Sequence, residues 1–130
     1  MRAKEIRVMA KPTVKALETK LREIAMSYPD TYEDHPWGES AIKIRPQGKA
    51  FLFMRAHDDK VSFSVKLPNS RDMAADLPWA EPTHYGMGKY GWVTAHVKPK
   101  DAPMELIRAW IDESFRAVAP KKLVKQLDAR

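Results

Sequence analysis

The residues Gly86-Met-Gly-Lys-Tyr-Gly91 read as G-x-G-x-x-G, the spacing with which a glycine-rich turn lays a pyrophosphate against a helix N-terminus. That chemistry needs a strand before the turn and a helix after it. Here Trp92-Val-Thr-Ala-His-Val97 follows, and its alternation predicts a strand, so the motif fails its context. A tight or mobile loop entering a strand is expected, with Lys89 solvated or at most meeting a phosphate. Two clusters, Glu33-Asp34-His35 with Glu39 and His57-Asp58-Asp59, hold metal-ligand residue types without a spacing that converges them. Solvated acidic loops and no metal are expected there. There is no cysteine, no G-x-S-x-G elbow and no evident Ser-His-Asp order, so no catalytic residue is nominated and no enzyme is expected. His35-Pro-Trp37 and Trp79-Ala-Glu-Pro-Thr-His84-Tyr85 set histidines beside aromatic rings. If those loops met over one sheet edge, His35, Trp37, Trp79, His84 and Tyr85, with Trp92 beside them, would suit a planar ligand or base. Tryptophans that plug the ends of a small core are the favoured alternative.

The elements that must position these residues follow from periodicity. Val14, Leu17, Leu21, Ile24 and Tyr28 recur at steps of three and four, predicting an amphipathic helix over 12–28 with Pro12 in its first turn and Pro29 ending it. Ile107, Trp110, Ile111, Ser114 and Val118 predict a second over 103–118, capped by Asp101 and stopped by Pro120. Segments 40–45, 49–55, 61–67 and 92–98 alternate in polarity and are rich in β-branched and aromatic residues, so they read as strands. A short helix over 69–77 is expected, with Asn69 and Asp72 as a capping pair. No repeat, linker or low-complexity stretch divides the chain, so residues 1–130 are read as one domain.

With Asp58-Asp59 as the turn centre, Ala56 pairs with Val61, Met54 with Phe63 and Leu52 with Val65. Ala50, Leu52, Met54, Phe63 and Val65 then face the core. Phe51, Phe53 and Arg55 lie on the opposite face beside Ser62, Ser64 and Lys66, with Lys43 and Arg45 outward on the preceding strand. Rings among cations and hydroxyls on an open sheet suit single-stranded nucleic acid, because bases stack while Lys and Arg neutralise phosphates. Such rings are more often covered by another segment or a dimer mate.

The chain has 130 residues, no cysteine and a formal net charge of +6, which favours an anionic partner, nucleic acid first. No apolar run approaches the roughly 20 residues of a bilayer span, and residues 1–10 lack the apolar stretch of a secretory signal. No membrane association and a cytoplasmic location are expected.

Thr31-Tyr-Glu-Asp-His-Pro-Trp-Gly-Glu-Ser40, the strand Ala41-Ile-Lys-Ile-Arg45, Gly48-Lys-Ala-Phe51, Lys66-Leu-Pro68 and Gly91-Trp-Val93 together resemble the MmcQ/YjbR family of small bacterial proteins. The resemblance runs from about Val14 to Leu123. It implies a frataxin-like (CyaY-like) α+β fold: a twisted, mainly antiparallel sheet of five or six strands with two long helices on one face. It also implies a DNA-binding label, and no established reaction. Frataxin-type iron binding is not expected, because Lys11, Lys15, Lys20 and Arg22 offset Glu18 and Glu23 on the first helix. The expected function is therefore nucleic-acid binding without a cofactor, through Lys43, Arg45, Lys49, Phe53, Arg55 and Lys66. The alternative is a protein-interaction or small-ligand module using the Trp37/His84/Trp92 edge, with Lys89 nearby.

Overall fold

The computed structural model describes residues 12–130; the signal-peptide reading and Lys11 fall on residues outside that range. The fold is α+β. Six strands, β1 (Thr31–Asp34), β2 (Ser40–Ile44), β3 (Lys49–Ala56), β4 (Val61–Lys66), β5 (Ala80–Pro82) and β6 (Trp92–Val97), form one antiparallel sheet in the order β1-β2-β3-β4-β6-β5. Four helices are present among the described residues: α1 (Val14–Met26), α2 (Arg71–Ala75), α3 (Met104–Val118) and α4 (Lys121–Asp128). The core lies between the sheet and the helices, where Leu17, Leu21 and Ile24 of α1 and Ile107, Trp110 and Ile111 of α3 meet Leu52, Met54, Phe63 and Val65.

The hairpin register is as the alternation predicts: Leu52 opposes Val65, Met54 opposes Phe63 and Ala56 opposes Val61. One step further along β3 the pattern breaks. Ile42 pairs with Leu52 but Lys43 pairs with Ala50, so Phe51 is the extra residue of a bulge. The bulge reverses the expected facing of two residues. Ala50 joins Lys43 on the outer face, and Phe51, expected outward, is fully buried against Tyr28 and Phe115, with ring centroids 6.0 and 5.3 Å away.

The helix ends differ from expectation in instructive ways. Thr13 caps α1, its Oγ1 accepting from Ala16 N at 3.0 Å, so Pro12 precedes the cap rather than entering the first turn. Asp101 ends a short 3-10 turn, and Pro103 is the residue before α3, with no side-chain cap. Asn69 and Asp72 do not cap α2 either. Glu113 of α3 does so from outside: its carboxylate accepts from Asn69 N (2.8 Å), Ser70 N (3.0 Å) and Ser70 Oγ (2.6 Å). The helix α4 follows Pro120 directly, buries Leu123, and is tied back to α3 by Arg116 and Asp128 at 2.8 Å.

Candidate functional site

The face of the sheet away from the helices carries the polar strand positions, and register places them in rows. One row runs Asp34, Ala41, Phe53, Ser64, Thr94, Glu81; the next holds Arg55, Ser62 and His96. Lys66 lies opposite Trp92, so both share this face with Phe53. The rings of Phe53 and Trp92 lean together across β4, their centroids 5.6 Å apart and planes at 54°. Around them, Lys49, Ala50, Lys66, Met87 and the end of α3 at Ala117 and Val118 shape a shallow depression of about 320 Å³.

The predicted cations are not equivalent. Arg55 and Lys49 are exposed and Lys66 is half-buried. Lys43 is bound to Asp34 at 2.7 Å, and that hydrogen bond holds the Asp34 carboxyl below its usual range and raises the Lys43 ammonium. Arg45 lies 4.4 Å above the Tyr32 ring and donates to Thr31 O at 3.3 Å. Tyr32, unassigned from sequence, thus belongs to the outer face at the β1 edge.

The expectation that the two His–Trp loops meet over one edge is corrected by the strand order. His35 follows β1 and His84 follows β5, the two opposite edge strands, roughly 24 Å apart at ~4.8 Å per strand. Trp37 sits in the turn Pro36–Gly38 on the β1 side. Trp79 packs on the helix side, its ring 5.4 Å from that of Trp110, whereas Trp92 is on the open side. Tyr85 is fully exposed at a positive φ of 62°, and Lys89 lies 5.2 Å above the Tyr90 ring. The G-x-G-x-x-G stretch is a turn, Met87–Tyr90, flanked by Gly86 and Gly91 in the left-handed region and leading into β6. Both glycines are needed at those φ values.

The acidic loop is internally engaged. Glu33 accepts from Arg22 Nε at 2.9 Å and from Ser40 Oγ. Burial pushes its carboxyl up, but the hydrogen bonds from Ser40 and Arg22 outweigh that and hold it below its ordinary value.

A second polar array was not anticipated. Ser62 Oγ lies 2.7 Å from His96 Nδ1, and His96 Nε2 lies 2.7 Å from Glu81 Oε2. His57 Nε2 is 3.0 Å from the same serine oxygen, and His84 Nε2 is 3.4 Å from Glu81 Oε1. The hydrogen bond from His96 keeps the Glu81 carboxyl below its usual range. These residues come from three strands and two loops, so no contiguous motif announces them. The outward parity of Ser62 and His96 was the available signal.

The YjbR family model matches residues 26–117. A crystal structure of a protein from Pseudomonas syringae, determined by a structural-genomics consortium, is similar with a TM-score of 0.60 at 19% identity. The match covers 77% of this chain and 96% of that one, and at such identity it speaks for the fold alone. No curated protein matches the chain.

Proposed function

The chain belongs to the YjbR family, and we propose that the open face of its sheet binds nucleic acid, DNA first, without a cofactor. The observation that carries this reading is the Phe53–Trp92 ring pair beside Lys66 and Lys49 in one shallow depression. Such a platform supplies π-faces for bases, at about 1–3 kcal/mol each, with cations at its rim for the backbone. Arg55 extends the charge along β3, and the net charge of +6 favours the encounter. Lys43 contributes less than its position suggests, because Asp34 already neutralises it. The CyaY-like assignment of the fold belongs to the same reading, on the resemblance of the quoted motifs. So does a cytoplasmic setting; no described helix is long and apolar enough to cross a membrane.

The test is titration of a labelled single-stranded oligonucleotide by fluorescence anisotropy over a salt series. Lys49→Glu, Arg55→Glu and Lys66→Glu combined should abolish binding, and each lost phosphate contact should flatten the log–log salt slope by about one. Reversing Lys15 and Lys20 on α1 together with Lys122 on α4, all exposed and the same change in charge, is the control for net charge. Equal losses from both proteins, or no binding by the wild type at low salt, would reject the sheet face. Salt-insensitive binding of a small planar ligand would favour the ligand-module reading, with Trp92 as its ring on this face.

A further inference from the structure

We propose that Ser62 is a nucleophile, with His96 as its base, and that this face cleaves small activated carboxylic esters by acyl transfer to water. The relay follows from the direction of its hydrogen bonds. Glu81 is an ionised carboxylate and only accepts, so His96 Nε2, 2.7 Å away, carries the proton. With that proton on Nε2, the Nδ1 lone pair faces the Ser62 hydroxyl at 2.7 Å. Nucleophile, base and orienting carboxylate stand in the sequence of contacts that acyl transfer needs, with the two imidazole nitrogens exchanged relative to the serine-protease arrangement.

The surroundings limit the substrate. Ser62 sits inside β4, paired to Arg55 on one side and His96 on the other, so its backbone N–H belongs to the sheet and forms no oxyanion hole. The nearest side-chain donor is His57 Nε2, 3.0 Å from Oγ, and Arg55 is the residue opposite Ser62 on β3. With the His96 side chain 34% exposed, the face is open, and aryl or short-chain esters with good leaving groups are the class it suits.

In the step, Ser62 Oγ bonds to the ester carbonyl carbon while its proton moves to His96 Nδ1. The carbon–oxygen bond to the leaving group breaks, and that alcohol takes the proton. Water, deprotonated by His96, then attacks the acyl carbon, and carboxylic acid leaves with Ser62 restored. Ser64 is a built-in comparison: it is on the same face of the same strand, but among the described residues its hydroxyl meets Thr94 Oγ1, at 2.8 Å, and no histidine.

The experiment is labelling of the intact protein with a fluorophosphonate, mapped by peptide mass spectrometry, alongside hydrolysis of p-nitrophenyl acetate. One adduct is expected, on Ser62, with fluoride displaced; His96→Ala should slow labelling about 100-fold. Ser62→Ala should remove ester turnover. Glu81 acts as a positioning residue, so Glu81→Gln should lower the plateau of the labelling-versus-pH curve with the melting temperature in place. An adduct on Ser64 or elsewhere, no adduct, or turnover by Ser62→Ala equal to wild type would overturn the proposal. The mapping on wild-type protein decides the matter even if a variant fails to fold.

Discussion

Ser114 on α3 stands between two sheet backbones: its Oγ donates to Phe51 O at 2.6 Å and accepts from Lys66 N at 2.8 Å. These are the groups that the β3–β4 ladder, which stops at Leu52 and Val65, would next have brought together. The bulge at Phe51 opens the ladder, and a helix hydroxyl closes it. Through this link Phe51 is turned into the helix layer, while Lys66 is held beside Trp92 on the open face. A buried serine therefore fixes the boundary between the core and the proposed binding surface.

Removing that hydroxyl leaves a buried carbonyl and a part-buried amide without their partner. Ser114→Ala should destabilise the protein by about 1–3 kcal/mol for each group left unpaired. Urea denaturation followed by circular dichroism measures it. A midpoint unchanged within error would mean that the ladder closes without Ser114.

Trp110 is 1% exposed, packs with its ring 5.4 Å from that of Trp79, and has an Nε1 without a hydrogen-bond partner among the described residues. Trp110→Ala should cost about 3–5 kcal/mol through the cavity it leaves. Trp110→Phe should cost much less, because it keeps an aromatic ring and removes an unpaired buried donor. Comparable losses for the two variants would contradict this account of the site.

Glu33 has its carboxyl lowered from an ordinary value of 4.5, with Ser40 and Arg22 overcoming the opposing effect of burial. The sign follows from linkage: its stabilisation is complete above 4.5 and is lost as pH falls through the lower, folded value. Wild-type stability should thus fall on acidification below that point. Glu33→Gln should be less stable at neutral pH and show a shallower acid limb. Parallel limbs for the two proteins would show that other carboxylates govern the acid loss.

The hairpin and the two stripes on α1 and α3 were legible because apolar period and burial coincide: Leu52, Met54, Phe63, Leu17 and Ile107 each lie where alternation or helical spacing puts them. The bulge was not. Ala50-Phe-Leu-Phe-Met54 is apolar at every position, so nothing in it marks a break in register, and only the mismatch with β2 shows that Phe51 is supernumerary. The edge strands β1 and β5 were missed because they are four and three residues long, and Thr-Tyr-Glu-Asp and Ala-Glu-Pro carry no β-rich run. The proposed platform was half visible: Phe53 and Lys66 through parity, but Trp92 only once β6 is known to neighbour β4. The Ser62–His96–Glu81 array depends on the order β4-β6-β5, which no local pattern encodes.

The Lys43–Asp34 pair offers a test of the binding face by gain rather than loss. Asp34→Asn removes the carboxylate at 2.7 Å and leaves Lys43 free to meet a phosphate, while the amide oxygen still accepts from His35 N. Oligonucleotide affinity at low salt should rise, and the salt slope should steepen by about one contact. Asp58→Asn, in the exposed β3–β4 turn, adds the same net charge without releasing a cation on this face, and should change the slope little. If the two substitutions alter the slope equally, binding follows total charge and the open face has no special part in it. If Asp34→Asn alone steepens it, Lys43 becomes a phosphate contact by release from its partner, and the nucleic acid lies across β2 and β3.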